Sequence, residues 1–188
     1  MGDRGRLIHL AGLAADWGWK AQGREVLWVA ADAPSPEWAL SLLYQSYAAE
    51  KNTTEMLRVV RRMVASRNSD LKAKNNVALF SALLQQDVHN ALLLAQDLVK
   101  ENPDDSVFRS TYAFVLLANG MTEESLEAIE QLKPEQRQDP GYAPYFAMIY
   151  QANGDMEKAR EYLGRVDRKE LLPEEVTLMD RLVELVGR

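Results

Sequence analysis

The sequence predicts an all-α chain: a right-handed superhelical solenoid of about five antiparallel helix pairs, closed by a C-terminal helix. Three observations carry that prediction. The stretch "LLANGMTEESLEAI" (116–129) returns as "YQANGDMEKAREYL" (150–163), with a helix end, an Asn-Gly, an acidic helix start and a small residue at matching offsets. The spacing then holds beyond the motif: Gly120 and Gly154 lie 34 residues apart, and so do Ala113 and Ala147, Leu116 and Tyr150, Ser125 and Ala159, and Leu132 and Val166. Finally, Gly, Asn and Pro fall between the apolar stretches, where helices stop, and acidic residues open the stretches that follow.

Taken in order, the first unit (4–35) places Leu7, Leu10, Ala11, Ala14, Gly18, Gly23, Leu27 and Ala30 on the repeat. The second (37–69) carries Leu40, Leu43, Tyr47, Met56, Val60 and Met63, best matched one residue early, so that spacings of 33 and then 35 result. The third (72–104) has Leu79, Ala82, Ala91, Ala95 and Leu98, and Pro103 is a natural stop. The motif pair defines the fourth (106–138) and fifth (140–171) units, and a last helix follows at 173–187. Gly18, Asn52, Gly120 and Gly154 suit left-handed helix ends at the hairpin corners. Thr122 before Glu123 and Glu124, Asp155 before Glu157, and Pro173 before Glu174 and Glu175 suit helix starts. One hairpin cannot bury its apolar face alone, so residues 1–188 are expected to form a single repeat domain.

This pattern resembles the tetratricopeptide repeat, a 34-residue helix pair with small residues at unit positions 8 and 20. Position 8 reads Ala11, Tyr44, Leu79, Ala113 and Ala147; position 20 reads Gly23, Met56, Ala91, Ser125 and Ala159. The repeats are degenerate: only Pro103 supplies the family's proline, and its aromatic at position 4 is missing throughout. Small residues at positions 8 and 20 let the two helix axes approach where they cross. The resemblance implies a protein-interaction scaffold whose contacts come from positions 2, 5, 9, 12 and 13 on the inner face of the first helices. Lysine and arginine do not join Asn76 at those positions, so the family's carboxylate clamp is not implied.

The inner face offers Phe80, Leu83, Phe114, Leu117 and Met148, with Asn76 and Gln151 beside them and Trp38 from the second unit. Two readings stand side by side: a groove for a partner peptide or amphipathic helix, or inward packing of these side chains against neighbouring helices. Trp17, Trp19 and Trp28 are expected to be buried between hairpins. The final helix carries Leu178, Leu182 and Leu185 beyond one packing face, which suggests self-association into a homodimer. Both ends look abrupt, as in a segment of a longer protein or a protomer covered by a partner. The alternative functions are therefore a homo-oligomerisation module and an architectural or regulatory segment of a larger polypeptide.

Composition points away from catalysis. The only histidines, His9 and His89, belong to no ligand-spaced pair, cysteine is absent, and no phosphate-binding or nucleophile-elbow motif occurs. Asp104–Asp105, Glu123–Glu124 and Glu174–Glu175 are accounted for by helix capping and dipole complementarity. No enzyme activity, metal or cofactor is expected. A net charge of −6 argues against nucleic acid, and the basic stretch Arg58, Arg61, Arg62, Arg67, Lys72 and Lys74 reads as a solvated helix face. No run reaches the length of a membrane span and the N-terminus lacks a secretory signal, which favours the cytoplasm without fixing the compartment.

Overall fold

The structure, a computed structural model, describes residues 2–33, 35–66 and 70–186. The regular structure of these residues is helical, without strands: α1 (Gly2–Asp16), α2 (Lys20–Ala31), α3 (Glu37–Ala49), α4 (Thr53–Ser66), α5 (Leu71–Leu83), α6 (Val88–Glu101), α7 (Ser106–Ala118), α8 (Thr122–Glu130), α9 (Ala143–Ala152), α10 (Met156–Leu163) and α11 (Pro173–Val186). Two short 3-10 turns, Gln136–Gln138 and Pro140–Tyr142, lead into α9. Second helices of the pairs start at residues 20, 53, 88, 122 and 156, at intervals of 33, 35, 34 and 34. Arg67 of the basic stretch lies outside the described residues.

The chain divides into two compact units, Met1–Ala73 and Lys74–Arg188. In the first, α1 packs on α2, α2 on α3 and α3 on α4. Its core is Leu27, Leu40, Leu43, Leu57, Val59 and Val60. The crossing of α1 and α2 depends on small residues: a Cβ added to Gly23 would sit 3.3 Å from the Ala14 Cβ and 3.5 Å from the Ala11 carbonyl oxygen. In the second unit α6, α7, α8, α9 and α10 pack in succession, and α11 covers α9 and α10. Its core contains Phe108, Val115, Leu116, Ile129, Phe146, Ile149 and Met179.

All five corners close the same way. The amide of one residue donates across six residues and its predecessor's amide across four, as in Trp19 to Ala14 and Gly18 to Ala15, Asn52 to Tyr47 and Lys51 to Ala48, and Gln86 to Ser81 and Gln85 to Ala82. The pairs Met121 to Leu116 with Gly120 to Leu117, and Asp155 to Tyr150 with Gly154 to Gln151, complete the set. This is the Schellman arrangement, which needs a left-handed residue after the helix. Gly18, Gly120 and Gly154 provide it at φ between 74 and 82°. The expectation for Asn52 is corrected: Lys51 is the left-handed residue, at φ 52°. Asn52 instead starts α4, its Oδ1 accepting the Glu55 amide at 3.1 Å. Gln85, at φ 53°, fills the same role at the third corner. Side chains pay a steric cost in this conformation that glycine escapes. Lys51→Gly and Gln85→Gly are each expected to raise stability by up to about 1 kcal/mol, read as a higher urea midpoint at unchanged slope.

The repeated asparagine has its own task. Asn119 Nδ2 donates to the Val115 carbonyl at 2.8 Å and to Val88, the first residue of α6, at 3.0 Å. Asn153 Nδ2 does the same to Ile149 at 2.9 Å and to Thr122, the first residue of α8, at 3.0 Å. In each case the end of one hairpin's first helix is tied to the start of the preceding hairpin's second helix. Glu50 stands at this position in the second repeat and reaches the start of α2 by charge instead, lying 3.9 Å from Lys20 and 2.6 Å from Arg24.

Helix starts follow the sequence with one exception. Asp105 accepts the amides of Val107 and Phe108, Asp155 that of Lys158, and Pro173 opens α11. Thr122, expected to cap α8, is instead the first residue within it, and its carbonyl receives Ser125 Oγ at 2.6 Å as well as Asn153. Glu175 does more than complement a helix dipole. It is buried: Oε2 accepts the Leu172 amide at 2.7 Å, closing the N-terminus of α11, while Oε1 accepts the buried Tyr145 hydroxyl. Burial first, then the Glu175 charge and hydrogen bond, push the Tyr145 phenol well above its usual pKa.

Candidate functional site

An open apolar recess of about 350 Å³ lies in the unit Met1–Ala73. Helix α1 contributes Ile8, Ala11, Gly12 and Ala15, α2 contributes Gly23, Arg24 and Leu27 with Lys20 at the edge, and α3 contributes Leu42 and Ser46. Counting from Ala11 at position 8, Ile8, Gly12 and Ala15 occupy positions 5, 9 and 12. The recess exists because positions 9 and 12 carry almost no side chain here. Nothing lies within 4 Å of a Cβ built on Gly12. Ile8 and Leu42 stand at the mouth, 42% and 39% exposed.

One wall is fixed by a charged network. Arg24 Nε donates to Ser46 Oγ at 2.9 Å, its Nη2 lies 2.6 Å from Glu50, and its Cζ sits 4.5 Å from the centre of the Tyr47 ring. The hydrogen bond from Arg24 holds the Glu50 carboxyl below its usual pKa range. A side wall locked in this way gives a ligand a preformed surface.

The residues singled out on the inner face separate into two groups. Phe80, Leu83, Phe114 and Met148 are buried, and Phe114 packs against Tyr145 with ring centres 4.7 Å apart. Trp38, Asn76, Leu117 and Gln151 are half-buried, and the Arg4 guanidinium carbon lies 5.6 Å from the Trp38 ring centre. On α11, Leu182 is buried beside Met179 and Val186, Leu178 is half-buried, and Leu185 is exposed together with Val183. His9 and His89 are exposed.

Two of the tryptophan expectations are overturned. Trp17 and Trp19 are exposed at 62% and 55%, packed edge to face on each other with ring centres 5.0 Å apart. They flank Gly18 at the first corner. Trp28 is half-buried, its indole N–H donating to the Tyr47 hydroxyl at 3.2 Å.

The geometry defines a class first: a chain of stacked helix hairpins with Schellman corners and a preformed apolar recess. The resemblance read from the sequence is borne out over one stretch: residues 82–144 match the tetratricopeptide repeat family model. Solved structures extend the same fold along the rest of the chain. The type IV pilus biogenesis factor PilW is similar over 100% of this chain and 87% of its own, at 14% identity and a TM-score of 0.62. A thermophilic tetratricopeptide-repeat protein of Thermus thermophilus matches over 97% of this chain and 98% of its own, at 14% identity and a TM-score of 0.59. MamA of AMB-1 matches over 87% and 91%, at 16% identity and a TM-score of 0.54. At such identities the likeness is one of fold. No curated protein matches the sequence. The repeat family is typically a non-catalytic interaction module, and no helix among the described residues is long and apolar enough to cross a membrane.

Proposed function

We propose that this chain is a protein–protein interaction scaffold that receives an apolar anchor of a partner peptide or amphipathic helix in the recess between α1, α2 and α3. The observation that carries the reading is the recess itself, apolar, open and placed at positions 5, 9 and 12 of a first helix. A helical ligand presents anchors at i, i+3 and i+4, and one aliphatic or aromatic side chain of such a face fills the space Gly12 and Ala15 leave. In the second unit the half-buried Asn76, Leu117 and Gln151 are proposed as further contacts of the same kind, and Trp38 in the first. Phe80, Leu83, Phe114 and Met148 are buried and are not proposed as contacts.

Gly12→Leu tests the reading cleanly. It fills the recess from a helical position with open space around it, and Leu in place of Gly favours the helix by roughly 1 kcal/mol. A peptide selected against the wild-type chain from a random-peptide library is expected to bind Gly12→Leu at least about tenfold more weakly, while the thermal midpoint holds or rises. Undiminished affinity at full stability would remove the recess from the account. Homodimerisation is the second reading, favoured by the exposed Val183 and Leu185 on α11; light scattering that shows a dimer abolished by Leu185→Asp would establish it.

A further inference from the structure

A second surface in the same unit lies outside that reading. Helices α2 and α4, the second helices of the first two pairs, leave a cleft of about 550 Å³ lined by Trp28, Val29, Asp32, Arg58, Arg61 and Arg62, with Ala65 at one end. We infer that this cleft binds an acidic, amphipathic segment of a protein partner: apolar side chains on the Trp28–Val29 floor, carboxylates against the arginines.

Charge argues first. The lining holds three arginines and one aspartate, and Glu55 pairs with Arg58 at 3.3 Å, which still leaves an excess of positive charge at this cleft in a chain whose net charge is −6. The apolar pattern of α4 accounts for its other side, where Met56, Leu57, Val59 and Val60 are buried; the arginines occupy the outward side. Aliphatic exposure is the second argument. Val29 stands 67% exposed beside Trp28, an arrangement a solvated charged face does not need. Preorganisation is the third. Arg58 Cζ lies 4.1 Å from the Trp28 ring centre, and the indole is held by its bond to Tyr47. Arg62 Nη2 is anchored by Asp32 at 2.9 Å and by the Ala31 carbonyl at 3.5 Å. A guanidinium offers five N–H donors, so these anchors leave others for an incoming carboxylate, and arginine pairs with carboxylates through a rigid fork. The apolar Trp28–Val29 floor distinguishes the ligand from a nucleic acid, because it asks for aliphatic side chains alternating with the acidic ones.

The test uses the full chain and fluorescein-labelled peptides of alternating glutamate and leucine, with glutamine–leucine and lysine–leucine peptides as probes of charge, all read by anisotropy. The glutamate–leucine peptide is expected to bind about tenfold or more tightly than either control, and added salt should weaken it. Arg58→Gln with Arg62→Gln should remove that preference, Arg61→Gln alone should reduce it, and Gly12→Leu should leave it unchanged. Because Arg62 braces α2, a thermal melt accompanies the double variant, and Arg61→Gln decides the matter if the double variant is unfolded. Equal binding of the three peptides overturns the inference. So does a preference undiminished in Arg61→Gln or lost in Gly12→Leu, or arginine-dependent binding of single-stranded DNA or phosphatidylserine vesicles in place of the peptide.

Discussion

Phe146→Ala is expected to destabilise the unit Lys74–Arg188 by about 3–5 kcal/mol. Phe146 is fully buried. Its ring centre lies 5.8 Å from Tyr142 and 5.5 Å from Tyr162, and Tyr162 stacks on Tyr150 at 5.4 Å. One ring thus joins α9 to α10 and to the turn before α9. Truncation removes the apolar contact and leaves a cavity that rigid helices close only in part. Urea unfolding followed by circular dichroism reads the loss, and Leu185→Ala, on the exposed side of α11, is the matched control. A change under about 1 kcal/mol would be out of line with a fully buried aromatic and would show that α9 is not clamped as described.

The second large effect belongs to Glu175. Glu175→Ala is expected to cost about 2–4 kcal/mol, combining a lost helix cap with a buried hydroxyl left without its acceptor. Tyr145 and Leu172 both donate to this carboxylate. Glu175→Gln keeps one oxygen acceptor and should lose less. Tyr145→Phe with Glu175→Met removes both buried polar partners and should also recover part of the loss, because an orphaned group costs more than an absent pair. The pH dependence follows from Tyr145, whose folded-state pKa is raised above 10.0. Above pH about 10 the unfolded chain releases the phenolic proton while the folded chain retains it, so stability is intact below that pH and falls as pH rises beyond it. Tyr145→Phe should flatten this alkaline slope. Denaturant midpoints measured at neutral and alkaline pH separate the two behaviours.

Most of the fold could be read from the sequence because its signals are local. Gly120 and Gly154 announce corners since a left-handed residue is needed there. The shift to spacings of 33 and 35 is visible in the apolar pattern and again in the starts of α4 and α6. Nothing in the chemistry of Lys51 and Gln85 advertises positive φ; the corner imposes it. Side-chain placement was harder. An apolar periodicity names a face of a helix, but in stacked hairpins a first helix is covered on more than one side. Phe114 and Met148, for which groove contact and inward packing stood side by side, are buried and fill the space at position 9 with their own bulk. The recess opens where position 9 is Gly12 and position 12 is Ala15, so smallness at contact positions was the signal to follow. Trp17 and Trp19 reverse the usual expectation for large apolar residues: both are exposed at the first corner, packed edge to face on each other.

The measurement that addresses the recess most directly is an amide chemical-shift titration of the isotopically labelled chain with a library-selected peptide. Shifts concentrated on Ile8, Gly12, Leu27 and Leu42, and absent in Gly12→Leu, are the result the account predicts. A peptide that binds with those four residues unmoved and its shifts gathered on α11 would contradict it.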